Sequence, residues 1–340
     1  MDSRCTKILK LLLRFLVTVP LLIWVFYQVD REQFVQAART VRWFYVLVVW
    51  GLTVVYFWLN AFRLKLILRQ QGCDVAVHAA FRASAITALY SMVLPGLLSS
   101  GVKWYVLQKG TGKGGNIFSG LVYNQVSSLL ICLLFALAAL MVTNPYAAAA
   151  GAQENSIFPI VCGALLVGGT LLYCLLLSPR VGGRLIGVGL FLVDWLPHWA
   201  AAKGRHILRQ IGSFQTAPVR FHVQMAALTL FVNCGIGVLI FVLAGWAADV
   251  QTPIGVFVWL FGIVHVLASI PIAVANLGVR EVTLVTALGI YGVPDSSALL
   301  MSLIFLSALV FMAAIGAVYQ VSWFGSHVPS RRSPVEAEQN

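Results

Sequence analysis

The chain has 340 residues, of which 60% are hydrophobic and only 10% carry a charge. Soluble domains are about 25% charged, so this composition excludes an ordinary soluble protein and indicates a polytopic membrane protein. The formal net charge of +12 does not indicate a nucleic-acid-binding protein, because the basic residues lie between apolar runs, where they determine topology and contact anionic headgroups. The six cysteines have no metal-ligand spacing, and we expect neither a metal site nor a cofactor.

The first apolar run, residues 7–29, follows a basic start that puts the N-terminus in the cytoplasm. We interpret it as an uncleaved membrane span, because it is long and no small-residue cleavage pattern follows, as a signal peptide would have. A second span over residues 43–62 has aromatic residues at both ends, as is typical of membrane interfaces. Basic residues then mark a cytoplasmic segment: Arg63, Lys65, Arg69 and Arg82.

The next apolar run is too short to cross the membrane. The 16 residues from 83 to 98 would extend about 24 Å as a helix, and Pro95 and Gly96 interrupt them. Basic residues flank the run on both sides, which predicts a re-entrant hairpin that enters and leaves at the cytoplasmic face. Gly101 would shape the break, and Lys103 would either contact anionic headgroups or snorkel to the interface.

Four further runs have the length of full spans, which brings the predicted number to six. They cover residues 116–142, 157–177, 223–247 and 297–324. The loop 143–156 contains no Lys or Arg and is predicted to be external, as is the short turn 249–253. The basic segment 180–221 is predicted to be cytoplasmic, with an apolar part that lies at the membrane interface.

A second interrupted segment lies within residues 264–292. Arg280 and Glu281 stand between two apolar runs, and the second run, 282–293, would extend only about 18 Å. We therefore expect two half-helices that break between Pro271 and Gly278 and return to the external face. The alternative, in which residues 254–275 cross the membrane as one helix, stays open.

The two halves follow the same order of span, span, hairpin and span. Repeat one covers about residues 7–142 and repeat two about residues 157–324, within one transmembrane domain of residues 1–324. Because the halves start from opposite faces, the eight hydrophobic segments predict an inverted-topology repeat of six spans and two hairpins, an architecture typical of transporters. The polar tail, residues 325–340, is expected to be disordered in the cytoplasm.

The interrupted segments contain the candidate site residues. Arg280 either binds a lipid phosphate, which its planar guanidinium matches, or pairs with Glu281 in a structural role. Glu281 either orients Arg280 or titrates. Asn276 and Gly278 are expected to shape the turn, and His265 is either a proton relay or a packed neutral side chain.

Asn124 and Gln125, on the span after the first hairpin, either line a cavity or join helices through polar contacts.

Two stretches carry a resemblance to a known family. They are LPGLLSSGVKWYVLQKGTGK, residues 94–113, and SIPIAVANLGVREVTLVTALGIYGVP, residues 269–294. The chain resembles the lysylphosphatidylglycerol synthase transmembrane family, also described as flippase-like, over nearly its whole length. Members commonly carry arginine at the positions of Lys103 and Gln125, so the phosphate role of the first hairpin is weaker here.

The resemblance implies a bacterial inner-membrane protein, and the basic residues predict that both termini lie in the cytoplasm. We expect it to move an anionic phospholipid or a lipid-linked intermediate between leaflets, through a polar cleft at the hairpin tips. The alternative is a membrane enzyme or an accessory subunit that works with enzymes of envelope lipid or glycan synthesis. We do not expect an enzyme, because the sequence holds no paired carboxylates, no metal-ligand cluster and no soluble transferase domain.

Overall fold

The computed structural model describes residues 39–92, 96–145, 157–178, 217–269 and 278–325, together with the isolated positions 183, 187, 212 and 214. Every regular element in these ranges is a helix, which confirms the predicted all-helical fold. A backbone in lipid must satisfy its own hydrogen bonds, and a helix does so within one segment. The helices, in chain order, are α1 (Trp43–Gln70), α2 (Val77–Ser91), α3 (Gly96–Thr111), α4 (Gly114–Thr143), α5 (Ile157–Leu177), α6 (Val219–Ala247), α7 (Ile254–Ser269), α8 (Val279–Gly289) and α9 (Asp295–Gly325).

Five of the described helices, α1, α4, α5, α6 and α9, are long and apolar enough to cross a membrane. They coincide with five of the six predicted spans, so the protein is a multi-pass membrane protein. The sixth predicted span, residues 7–29, lies outside the described residues, as do nearly all of segment 180–221 and the tail from residue 326. The inverted repeat of six spans and two hairpins therefore stays a prediction.

Helix α1 is longer than the sequence predicted. It continues to Gln70, so Arg63 lies within the helix and not in a cytoplasmic loop. The reason is that buried apolar residues continue past Arg63 at helical spacing: Leu64, Ile67 and Leu68. This corrects the predicted end of the second span and moves a basic residue from the membrane surface into the bundle.

The first interrupted segment forms two short helices. Helix α2 has 15 residues and α3 has 16, so each extends about 24 Å or less, short of the roughly 30 Å hydrocarbon core. Helix α2 ends at Ser91 and α3 begins at Gly96; residues 93–95, including Pro95, lie outside the described residues, so the hairpin stays a prediction. Helix α2 begins at Val77, earlier than expected, so Arg82 is also helical and not in a loop.

The second interrupted segment also forms two short helices. Helix α7 has 16 residues and α8 has 11. Gly278 precedes α8 with φ of +86°, a conformation that glycine adopts without a steric penalty. Pro271 and Asn276 lie outside the described residues. The path between α7 and α8, and thus the choice between hairpin and continuous span, stays a prediction.

Helix α9 packs against both α1 and α2. Trp50 of α1 donates a hydrogen bond to the Ser307 hydroxyl at 2.9 Å and stacks on Phe311, with ring centroids 5.0 Å apart. On the other side, Gly316 approaches α2 so closely that a Cβ there would collide with the Ala85 carbonyl. Small residues at helix crossings allow such close backbone packing in membranes.

Contacts at the helix ends fix which ends share a face of the bundle. Arg42, just before α1, forms an exposed ion pair of 3.0 Å with Asp249, just after α6. At the opposite face, the Lys113 ammonium donates to the Gly72 carbonyl at 2.9 Å. The start of α1 and the end of α6 therefore lie together, and the loops 71–76 and 112–113 lie at the other face.

Candidate functional site

One cluster of buried polar side chains surrounds the start of α8. Arg280 and Glu281 are 5% and 2% exposed, and the Arg280 Nη2 lies 2.6 Å from the Glu281 Oε1. The second carboxylate oxygen of Glu281 accepts the backbone N–H of Gly278 at 2.7 Å, which caps the first turn of α8. The Glu281 carboxylate therefore forms the ion pair with Arg280 and also caps the N-terminus of α8.

Helix α9 completes this Arg280 cluster, which comprises Arg280, Glu281, Ser302 and Phe305. The Ser302 hydroxyl accepts a hydrogen bond from Arg280 Nε at 2.7 Å and donates one to Glu281 Oε1 at 2.7 Å. The guanidinium also lies over the Phe305 ring, 5.4 Å from its centroid. The charge of Arg280 is thus neutralised by its neighbour in this structure, the second of the two roles that the sequence left open. Its binding of a lipid phosphate stays a prediction.

A second cluster lies between α1, α4 and α6, and its centre is Arg63. The Arg63 side chain is 3% exposed. Its Nε donates to the Asn124 side-chain oxygen at 3.1 Å, and its Nη1 donates to the Thr229 hydroxyl at 2.9 Å. One guanidinium therefore joins three membrane-spanning helices.

The cluster continues toward the middle of the bundle along one face of α4. Ser128 and Cys132 follow Asn124 at intervals of four residues, so all three side chains lie on one stripe. Asn233 of α6 donates from Nδ2 to the Ser128 hydroxyl at 2.6 Å, with the Cys132 sulfur at 3.9 Å. We call the set the polar seam: Arg63, Asn124, Ser128, Cys132, Thr229 and Asn233.

The polar seam lies in the inner parts of three helices that are long and apolar enough to cross a membrane. Ser128 is at the middle of the 30-residue α4, and Asn233 is at the middle of α6. Arg63 lies about 10 Å past the midpoint of the 28-residue α1 along the helix axis. Polar and charged groups inside membrane-spanning helices are rare and are associated with function.

A π-helix in α6 shapes one wall of the seam. Residues Leu230–Ile236 form this wider turn between two α-helical parts. Both Asn233 and Cys234 are buried within it, although consecutive residues of an α-helix point about 100° apart. Short π-helical turns inside α-helices occur frequently at functional sites.

Two of the site residues predicted on the first hairpin and the following span lie at or near the polar seam, and two others are exposed. Lys103 is half-buried, with its ammonium within electrostatic reach of Arg63, and Asn124 belongs to the polar seam. Gln125 is exposed, because the next residue along a helix points about 100° away. Gly101 is exposed on α3, and Gly96 is its first residue.

Comparison with known proteins identifies the family. Residues 11–316 match the family described as the lysylphosphatidylglycerol synthase TM region. The chain belongs to this family. No curated protein and no solved structure matches it. The resemblance expected from residues 94–113 and 269–294 is thereby confirmed, and membership is consistent with a lipid-related role in a membrane.

From the sequence, His265 is either a proton relay or a packed neutral side chain. The structure puts its ring next to the Cys132 thiol and against Phe261, with ring centroids 5.6 Å apart. It therefore lies beside the polar seam. Its relay role stays a prediction.

Within the described ranges, no group of three His, Cys, Asp or Glu side chains has the geometry of a metal site.

Five polar residues of the two clusters were not identified as site residues from the sequence: Arg63, Ser128, Thr229, Asn233 and Ser302. A signal for Arg63 was present, since Tyr56, Asn60 and Arg63 recur at helical spacing on one face of α1. The other four are neutral residues in long apolar runs, where nothing in the sequence distinguishes a buried contact from a lipid-facing side chain.

Proposed function

We propose that this family member moves a lipid with an anionic headgroup between the two leaflets of its membrane. The headgroup passes along the polar seam, and the acyl or prenyl chains stay in the bilayer. Lys103 and Asn124 contact the headgroup on its way, and the Arg280 cluster supports the short helix α8 at the second interruption.

The observation that carries the proposal is the polar seam itself. Three helices long enough to span a membrane contribute hydrogen-bonding side chains that meet inside the bundle, among them the buried guanidinium of Arg63. A charged side chain in a spanning helix costs up to about 2.5–3.5 kcal/mol on insertion scales, the value for the helix centre. Interhelical hydrogen bonds between neutral residues contribute only about 0.6 kcal/mol each, so helix association alone does not account for a cation at this position.

The paired short helices support movement of the headgroup. Interrupted helices at corresponding positions of two repeats are typical of transporters, whose repeats rock around a site near the midplane. In this chain the interruptions separate α2 from α3 and α7 from α8. Rocking of one repeat against the other would open the seam to each leaflet in turn.

The test is lipid flipping in liposomes. The purified protein is reconstituted with an acyl-labelled fluorescent phosphatidylglycerol, and dithionite bleaches the label in the outer leaflet. We expect vesicles with protein to lose the inner-leaflet label as well, with or without an imposed proton gradient. Bleaching no faster than in protein-free vesicles under both conditions would overturn the proposal.

Two leucine substitutions on α4 connect flipping to the seam. Ser128→Leu removes a hydroxyl from the seam and fills the space beside it, and we expect the flipping rate to fall at least about tenfold. Val126→Leu is the control, because Val126 lies on the same helix but is exposed. Gel filtration verifies that both variants are folded. Equal flipping rates of the two variants would exclude the seam as the path.

A further inference from the structure

Two arginines, Arg63 and Arg280, are buried in the described part of the chain, and they differ in how their charge is balanced. Arg280 has Glu281 as its ion-pair partner. The described part of the chain contains four carboxylates, Asp74, Asp249, Glu281 and Asp295, and none of them pairs with Arg63. A buried charge without a counter-charge is strongly unfavourable, so Arg63 requires an anion that the described residues do not supply.

The neighbours of Arg63 increase the positive potential at this point. Asn124 and Thr229 are neutral and accept its hydrogen bonds through oxygen atoms, which orients the guanidinium but leaves its full charge. Lys103 of α3 adds a second cation within electrostatic reach. An arginine held rigidly on neutral acceptors, with a lysine nearby, is suited to bind a phosphate.

An acceptor without a donor lies one helical turn away. Asn233 is 2% exposed, and its Oδ1 has no hydrogen-bond partner although its Nδ2 binds Ser128. Exchanging the two amide atoms leaves Nδ2 as the unpartnered atom, so one polar atom stays unsatisfied in either orientation. A buried unsatisfied polar atom is unfavourable, and a ligand that forms a hydrogen bond with it removes this cost.

The distance between the Arg63 guanidinium and the unpartnered amide atom of Asn233 indicates what kind of ligand contacts both. Asn124, which binds Arg63, and Ser128, which binds Asn233, are four residues apart on the α-helix α4, so their Cβ atoms lie about 5–6 Å from each other. We propose that the polar seam is a headgroup site in which Arg63 binds the phosphate and Asn233 binds a hydroxyl of the same headgroup. The ligand class is a phospholipid with a net negative charge and a hydroxylated headgroup, such as a glycerol or sugar phosphate.

This inference rests on the proposed function, but it is tested by selectivity and not by flipping alone. The flipping assay is run with three acyl-labelled lipids. Phosphatidylglycerol has a net negative charge and headgroup hydroxyls, and phosphatidic acid has the net negative charge without the glycerol headgroup. Phosphatidylcholine has neither a net charge nor a headgroup hydroxyl. We expect the wild-type protein to flip phosphatidylglycerol at least about tenfold faster than phosphatidylcholine, since a charged hydrogen bond contributes more than 1.4 kcal/mol.

The variants separate the two contacts. Arg63→Gln is expected to lower the rate for phosphatidylglycerol about tenfold, to that of phosphatidylcholine. Asn233→Leu is expected to reduce phosphatidylglycerol to the rate of phosphatidic acid without changing the latter. Thr229→Val should behave as a weaker form of Arg63→Gln. Thr170→Val is its control, because both threonines donate to the carbonyl four residues earlier, and Thr170 is exposed on α5.

A binding measurement keeps the test independent of transport. In detergent, phosphatidylglycerol should raise the midpoint of thermal unfolding of the wild-type protein more than phosphatidylcholine does, and Arg63→Gln should abolish the difference. If Arg63→Gln keeps both the flipping preference and the thermal shift, the headgroup site is wrong and the flipping activity stands. If no lipid is flipped but the thermal shift depends on Arg63, the site stands and the transport proposal fails.

Discussion

At the scale of single residues, Arg280 and Glu281 show how this bundle accommodates a buried charge. The carboxylate accepts from the guanidinium, from the Ser302 hydroxyl and from the Gly278 backbone, so both of its oxygens are satisfied. A buried ion pair of this kind contributes little by its presence but is costly to break, because the remaining partner keeps an uncompensated charge.

Glu281→Gln therefore should destabilise the protein by about 3 kcal/mol, since glutamine preserves the cap on Gly278 but leaves Arg280 without its counter-charge. Thermal unfolding in detergent, followed by circular dichroism, measures the loss. Asp249→Asn is the matched control, because it breaks an ion pair whose side chains are 54% and 52% exposed and should cost less than about 1 kcal/mol. Equal losses in the two variants would contradict this account.

At the scale of helices, the short elements depend on α9. Helix α2 packs along α9 through Gly316 and Ala85, and α8 is joined to α9 by the Arg280 cluster. One long helix thus contacts a member of each pair of short helices. A shift of α9 relative to α1 would move α2 and α8 together, which is the coupling that rocking repeats require.

Gly316→Ala should separate α9 from α2, because the added methyl group would collide with the backbone carbonyl of Ala85, which cannot rotate away. Overpacking of this kind costs about 1–3 kcal/mol. Gly51→Ala is the control, since a Cβ on Gly51 of α1 meets no atom within 4 Å. Thermal unfolding of both variants checks the prediction, and an unchanged midpoint for Gly316→Ala would disprove the tight crossing.

At the scale of the whole molecule, the basic residues are distributed unevenly between the two faces of the bundle. The face with the ends of α1 and α3 carries Arg69, Lys109 and Lys113, and the start of α6 adds Arg220. The opposite face has the exposed pair of Arg42 and Asp249. By the positive-inside rule, we expect the first face to be cytoplasmic.

Cysteine labelling tests this orientation. In a background with the native cysteines replaced by alanine, Gln251→Cys should react with a membrane-impermeant maleimide added outside intact spheroplasts. Gly110→Cys, at the end of α3, should react only after the membrane is permeabilised. Both positions are exposed, so access to the reagent depends only on the side of the membrane. The reverse pattern would invert the topology.

The sequence by itself determined the features that depend on neighbouring residues. Hydropathy over about 20 residues determines the membrane class and the five described spans, and Pro95-Gly96 and Gly278 predict the two interruptions because such residues break helices locally. Arg280 and Glu281 are adjacent in the chain, so their pairing was also among the interpretations available from the sequence.

Only the tertiary structure decided which polar residues meet. The Arg63 contacts join residues 61 and 166 positions apart, and the Asn233 contact with Ser128 spans 105 positions. These contacts depend on how each helix is rotated about its axis and on the π-helical turn of α6. A hydropathy window averages over all faces of a helix, so it finds a span but does not distinguish the side toward a neighbour from the side toward lipid.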